Sequence, residues 1–415
     1  APSDMALGGS KIGFFGLKIG DRPIEISTES VGDFFGDLLL SSDGCIVMTF
    51  VMLIVLVVFR VFVSDDEGQE AFEERMQEDV LKEKWKRHNE RWSTNEKVPP
   101  KEGIISPKPL PPSTTRVVDT DPIPTKVTIV GDLKTAVTVL VTYHDIGLNH
   151  RWCFGRLMHW LNSANMLSRV AVVHIDAPGH EDGAAALASL DPKVLNLERL
   201  AQHVKQILAK LEISRFVGVG AGAGANVLLR YVSENPGVAR GLVLQNPTLQ
   251  GPSYTERISL SVVRSLMSPL RLRKSANTQL AKLHYSGRAM ACTAGPRAFL
   301  KSYRNAAEWD NKMWFIDAFR TRDAFDSDRI ERLESTPLLL FSAKDSEGLE
   351  LISHEYPLRD VEEMVLTFLE HLPQHHVSHC RIRGCGQQLF EERPEEVIGP
   401  MKSFVTNLGL QLGEL

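Results

Sequence analysis

Cysteine is scarce in this chain. Five residues, Cys45, Cys153, Cys292, Cys380 and Cys385, are scattered along 415 positions. An odd, scattered set supplies no disulfide framework and points to a reducing environment around most of the chain. An excess of one charge is lacking too. Against 52 Asp and Glu stand 47 Lys and Arg, a formal net charge of −5. That balance argues against a nucleic-acid partner and against a strongly cationic membrane clamp. No methionine stands first; the sequence begins APSDMA, so removal of a leading segment, such as a targeting peptide, is expected. Long apolar runs are absent apart from one, CIVMTFVMLIVLVVFRVFV, Cys45 to Val63, whose single charge is Arg60.

That run is long enough to matter. At about 1.5 Å per residue it reaches roughly 28 Å, the thickness of a thin bilayer core. Arg60 lies near its end, where its side chain snorkels to the headgroups. Residues 45–63 are therefore expected to form a transmembrane helix preceded by an N-terminal extension, 1–44. The alternative is a buried core helix. Arg60, near the end of the run, and Arg75 lie on its C-terminal side, whereas no Lys or Arg lies between Glu25 and Gly44. The positive-inside rule then places the C-terminal bulk on the matrix or cytoplasmic side. Residues 64–98 are expected to form a charged helical stalk. Phe72, Met76, Val80 and Trp85 make one narrow apolar stripe on it, which another subunit would cover. Residues 99–124 hold eight prolines and read as an extended linker.

From about Thr114 the pattern becomes alternating strands and helices. KVTIV, VTVLVTY, VAVVHI, RFVGVG, GLVLQN, TPLLLFSA and HVSHCRIRG are mostly short apolar runs bounded by turn residues, as expected of strands buried on both faces. Helical segments are expected near Trp152–Ser163, Leu195–Leu211, Ala223–Glu234, Asp360–Leu372 and Pro394–Asn407. This predicts an α/β domain over 114–415, a mostly parallel sheet with helices on both faces. The strand rhythm stops over 247–335, which reads as a helical cap.

The segment GVGAGAGAN, Gly218 to Asn226, follows one strand and opens a helix. One reading is a dinucleotide loop, since GVGAGA fits G-x-G-x-x-A. Its position after several strands, and Gln245 and Asn246 where a ribose-binding acid belongs, argue against that. No cofactor is therefore expected. The other reading is the nucleophile elbow of an α/β-hydrolase fold, small-x-nucleophile-x-small. In that frame Gly220 takes the nucleophile position, and it has no atom to attack with. No Ser, Cys or acid lies between Gly218 and Arg230. The acid position falls on Asp345. The base position falls on Gln387, which carries no proton at neutral pH. The corner that should supply oxyanion donors holds His144 and Asp145, and a carboxylate there opposes a developing oxyanion.

YHDIGLNHRWCF (Tyr143 to Phe154), VHIDAPGHEDGA (Val173 to Ala184) and GVGAGAGAN, in this order, resemble the N-myc downstream-regulated protein family. YRNAAEWDNKMWFIDAFRTRD (Tyr303 to Asp323) and the pair Gly386-Gln387 resemble it as well. The resemblance covers roughly Thr114 to Leu410. It implies an α/β-hydrolase fold without hydrolase activity. The membrane run, stalk and linker depart from that family's usual N-terminus, and its Ser/Thr-rich tail is not matched. Regulation by tail phosphorylation is therefore not carried over.

Other clusters are weaker. His375, His376, His379 and Cys380 are zinc-ligating types, but their spacing is irregular and no metal is expected. RSLMSPLRLRKS, Arg264 to Ser275, is a basic amphipathic patch that would suit anionic lipid or an acidic partner. Asp176, His180, Glu181 and Asp182 crowd one loop without a partner nucleophile. The leading expectation is a non-catalytic accessory subunit or scaffold of a membrane complex. Its anchor and stalk would contact the bilayer and neighbouring subunits, and the mitochondrial inner membrane fits best. The alternatives are a tethered module that binds a lipid or small molecule in the vestigial pocket, and an active hydrolase with a displaced nucleophile.

Overall fold

The computed structural model describes residues 18–19, 22–23, 109–187, 195–252, 277, 280–281, 284–286, 289, 300–303, 308–344 and 360–410. The transmembrane run 45–63, the stalk 64–98, the basic patch 264–275 and Asp345 lie outside the described residues. Among the described residues no helix is long and apolar enough to cross a membrane. The chain divides into two units, Ala1–Gly103 and Ile104–Leu415. In the first, Lys18–Ile19 pairs antiparallel with Arg22–Pro23.

The second unit holds an eight-stranded sheet. Its strands are β1 (Ser113–Val118), β2 (Thr125–Val130), β3 (Thr138–Tyr143), β4 (Val170–Ile175), β5 (Phe216–Ala221), β6 (Ala239–Gln245), β7 (Leu338–Lys344) and β8 (Val377–Arg383). Their spatial order is 1-2-4-3-5-6-7-8. Strands β3 to β8 pair in parallel, whereas β1–β2 and β2–β4 pair antiparallel. Every residue of β4 and of β5 is buried, which is why those strands read as continuous apolar runs. β1 corrects the expected linker. Its Thr and Val residues suit a pleated edge, and Ser113 to Val117 are exposed, so residues 113–118 belong to the sheet and not to a spacer.

The helices follow the apolar spacing closely. They are α1 (His150–Ser163), α2 (Leu197–Lys210), α3 (Ala223–Glu234), α4 (Trp309–Arg320), α5 (Ser327–Glu331), α6 (Asp360–His371), α7 (Leu389–Glu392) and α8 (Pro394–Asn407). In α2, Leu197, Leu200, Ala201, Val204, Ile207 and Leu208 form the buried face. Asn196 caps it by accepting from Arg199 N at 2.9 Å, and Glu198 and Lys210 match the helix dipole at the two ends. α4 lies in the expected cap region and is buried nearly all round, Asn311 and Lys312 included.

Asn311 fastens α4 to the loop after β4. Its Nδ2 donates to Gly179 O at 2.7 Å and to Ala185 O at 3.0 Å, and its Oδ1 accepts from Leu187 N at 2.9 Å. Gly179, at φ +75°, lies so close that a Cβ there would meet Asn311 Nδ2 at 2.6 Å. Asn311→Ala strands the buried Gly179 carbonyl and two part-buried backbone groups, Ala185 O and Leu187 N. The expected loss is about 2–4 kcal/mol in urea unfolding, with faster proteolysis of the 179–187 loop. Unchanged stability would show that the cap is not held there.

Candidate functional site

The glycine segment sits at the end of β5. The strand runs to Ala221, which pairs with Gln245. Gly222 then turns the chain with φ 51° and ψ −114°, and α3 begins at Ala223. This strained turn between strand and helix is the elbow geometry, and Gly222 holds its apex. The expectation that Gly220 takes that place is corrected. Gly220 lies inside β5, where a Cβ would meet Ala225 Cα at 2.6 Å. The working frame is Gly220-Ala221-Gly222-Ala223-Gly224. Gly224 serves close packing, since its Cβ would meet Tyr143 O at 2.3 Å.

The space a nucleophile would fill is taken by Asp145. A Cβ on Gly222 would fall 2.2 Å from Asp145 Oδ1 and 2.3 Å from Cγ and Oδ2. Asp145 Oδ1 accepts from Ile146 N at 2.8 Å and from Ala223 N at 2.9 Å. Ala223 follows the elbow residue and Ile146 lies in the loop after β3, the two places from which oxyanion-hole amides come. The chain's own carboxylate therefore sits on both donors. Burial pushes the Asp145 carboxyl up to about 6, against the pull of the Ala223 and Ile146 amides and the Gln388 side chain.

The base position also shifts by one residue. Gln387 is half-buried, and its carbonyl accepts from Asn246 Nδ2 at 2.8 Å. Gln388 is the buried residue that reaches the site. Its Nε2 donates to Asp145 Oδ2 at 3.2 Å, and its Oε1 accepts from Gln245 Nε2 at 3.2 Å. Gln245 Oε1 in turn accepts from Phe390 N at 2.9 Å. Every member of this relay has a fixed direction, so neither amide is free to flip.

Cap and sheet close over the site. His284 Nε2 stands 3.7 Å from Asp145 Oδ2, and burial pushes its imidazole down to about 3, with the Lys312 charge adding to the effect. The loop after β8 holds the cap: Gln388 N donates to His284 O at 2.9 Å, and Ser286 N and Oγ donate to Glu392 at 2.7 and 2.5 Å. Cys153 Sγ accepts from Asp145 N at 3.3 Å, and burial pushes its thiol well up, the Asp145 charge adding to this. Such a thiol is a poor nucleophile.

The acidic loop after β4 serves the start of α1. Asp176 Oδ1 accepts from His150 N at 2.7 Å, and its Oδ2 lies 2.6 Å from His150 Nδ1. Burial acts upward on Asp176, yet the His150 and His144 contacts outweigh it and hold the carboxyl well below its ordinary range. Asp182 meets Asn149 Nδ2 at 2.9 Å and Arg151 Nη1 at 2.7 Å. The zinc candidates do not form one group, although the His375 and His376 rings meet edge to face at 4.3 Å. His376 Nδ1 donates to Glu334 O at 2.7 Å, and His379 Nε2 meets Ser342 Oγ at 2.8 Å. Among the described residues no three His, Cys, Asp or Glu side chains form a metal-holding group. His379 and Cys380 are strand neighbours in β8, and such neighbours face opposite sides.

This strand order, with a strained turn leading from β5 into a helix, defines the class: an α/β-hydrolase fold. Solved structures share it. An esterase from Thermogutta terrifontis superposes with a TM-score of 0.53 at 16% identity, over 72% of this chain and 99% of that one. A carboxylesterase study of Nitrososphaera gargenis supplies a structure at TM-score 0.54 and 14% identity, over 71% and 99%. At such identities the likeness shows fold alone. Residues 118–411 match the Ndr family, and the chain belongs to that family. An NDRG-like protein of Dictyostelium discoideum is 24% identical over 277 residues, 66% of this chain and 79% of that protein. Protein NDRG3 of Xenopus laevis is 38% identical over 120 residues, 29% of this chain and 32% of its own length. Protein NDRG2 of Bos taurus is 37% identical over 149 residues, 34% and 42%. The aligned segments thus span under half of those two vertebrate relatives.

Proposed function

We propose that this protein is a non-catalytic member of the Ndr family that works as a structural or accessory subunit of a membrane complex. One observation carries the first half: a side-chain-free elbow residue, Gly222, whose space and oxyanion donors are taken by Asp145. Acyl transfer needs a nucleophile, a base and a free oxyanion hole. Glycine at the elbow, Gln388 beside it and an internal anion on the donors oppose all three. The second half rests on the sequence. The Cys45–Val63 run suits a membrane anchor, the striped stalk suits a neighbouring subunit, and the mitochondrial inner membrane is the proposed location.

Purified full-length protein should hydrolyse p-nitrophenyl acetate and butyrate no faster than the Asp145→Asn variant or buffer, and should resist fluorophosphonate labelling. Turnover above that background, with stoichiometric labelling, would sink the non-catalytic reading. Extraction in mild detergent should release the protein within a larger assembly of fixed stoichiometry. Migration as a free monomer or dimer would sink the subunit reading and leave the first half standing.

A further inference from the structure

Next to the elbow, on the cap side, lies a closed cluster of rings. Tyr143 stacks on His144 with centroids 5.7 Å apart. His144 faces His180 at 5.3 Å and Phe315 at 5.7 Å. His180 faces Trp314 at 5.4 Å and Phe315 at 5.4 Å. Three elements meet here: the end of β3, the loop after β4, and cap helix α4. All five rings are buried.

Among the described residues, three polar atoms of this cluster have no hydrogen-bond partner: Tyr143 Oη, His180 Nε2 and Trp314 Nε1. Buried polar groups are nearly always satisfied, and each exception calls for a cause. Three in one ring cluster, with Tyr143 joined to His180 and Trp314 through His144 and Phe315, point to one shared cause. Their chemistry can be assigned. His180 Nδ1 lies 3.3 Å from Pro178 O, which can only accept. The proton therefore sits on Nδ1, and Nε2 is left as an acceptor. Trp314 Nε1 can only donate, and Tyr143 Oη can do either. Burial keeps both titrating rings neutral. It holds the Tyr143 phenol far above its usual range, helped by the Asp176 charge, and it pushes His180 down to about 3, with His144 adding to this. The nearby cation, Lys312, directs its Nζ to Asn277 Oδ1 at 2.8 Å and Tyr303 O at 3.2 Å.

We infer that the Tyr143–His180–Trp314 cluster is a binding site for a small uncharged molecule bearing a hydroxyl or carboxamide group. Such a group accepts from Trp314 Nε1 and Tyr143 Oη and donates to His180 Nε2, while the faces of His144 and Phe315 pack its apolar part. A carboxylate or an ammonium ion is disfavoured, because the ring walls are neutral and the nearest charges, Asp176 and Lys312, are already engaged by His150 and by Asn277 and Tyr303. The inference goes beyond the subunit reading and stands whether or not the chain assembles with partners.

The test uses the full-length protein in two unrelated mild detergents. Native mass spectrometry should show a bound uncharged molecule that persists in both detergents and is released on denaturation. Tyr143→Phe and Trp314→Phe should each lower its occupancy at least tenfold, with circular dichroism confirming the fold. Added N-methylacetamide, an uncharged donor and acceptor, should raise the unfolding midpoint of protein stripped of the molecule, and equimolar acetate should not. Tyr143→Phe should lower the midpoint of the loaded protein, since it removes a satisfied hydrogen bond. Protein at its bare mass, a molecule retained by both variants, or a higher midpoint in Tyr143→Phe would each overturn the inference. Bare mass with a lower midpoint in Tyr143→Phe would assign the site to ordered water, and that too overturns it.

Discussion

Asp145→Ala is expected to cost the domain about 2–5 kcal/mol, because it orphans two buried backbone donors at once. Ile146 N and Ala223 N both depend on Asp145 Oδ1, and Gln388 Nε2 loses its acceptor. Asp145→Asn should cost less, about 1–2 kcal/mol. Its new amide oxygen can still accept from both backbone groups. Its new NH2 faces Gln388 Nε2, however, and Gln388 is held in direction by Gln245 and Phe390.

The two variants also separate in their pH dependence. Burial holds the Asp145 carboxyl at about 6 in the folded chain, against an ordinary 3.8. The folded state thus binds this proton more tightly than the unfolded chain does. The stability it contributes is fully present below about pH 4 and is lost as pH rises through 6. Other buried groups titrate in the same range, Glu391, pushed up to about 8, adding to this loss and His174, His180 and His284, pushed down to about 3, opposing it, so urea unfolding between pH 4 and 7 reads Asp145 as the difference between the wild type and Asp145→Asn. Asp145→Asn should therefore lose less stability than the wild type as pH rises from 4 through 6. Identical profiles would mean that Asp145 does not titrate in this window.

Gly222→Ser, the change that would return a hydroxyl to the elbow, is expected to damage the protein and not to activate it. The new Cβ would meet the Asp145 carboxylate at 2.2 Å, and φ 51°, ψ −114° is strained for any residue with a side chain. The combined cost is about 3–5 kcal/mol. Gly222→Ser with Asp145→Gly should be more stable than Gly222→Ser alone, since the second change removes the colliding atoms. About 1–3 kcal/mol of backbone strain remains. A double-mutant cycle reads this directly, and strict additivity would refute the picture of one carboxylate filling the nucleophile's place. Neither variant should hydrolyse esters, because Gln388 takes up no proton.

Much of the site could be placed from residue order alone, and its failures were local. Asp145 reads as wrong for an oxyanion corner from its place after β3. The elbow was legible as a motif but not in its frame. Glycines at 218, 220, 222 and 224 repeat with the period of a strand, so Gly220 and Gly222 fit small-x-apex-x-small equally well. Where β5 ends decides between them, and that depends on the pairing of Ala221 with Gln245 in β6. Gln387 and Gln388 are alike in type and adjacent. Only the turn after β8 and the packing of Leu389 and Phe390 select which one points inward.

Residue order settled the alternating sheet and helix pattern. Apolar period and turn residues act locally, and VAVVHI or LERLAQHVKQILAK has one low-energy way to bury its apolar side. It also determined that no nucleophile stands at the elbow, since no Ser, Cys or acid lies between Gly218 and Arg230. Tertiary structure alone decided that Asp145 occupies the vacated place, that Gln388 directs the relay, and that rings from β3, the β4 loop and α4 meet around three unsatisfied polar atoms. Residues 145, 223 and 388 are far apart in the chain. Their meeting is set by strand order and cap docking, and no local propensity carries that information.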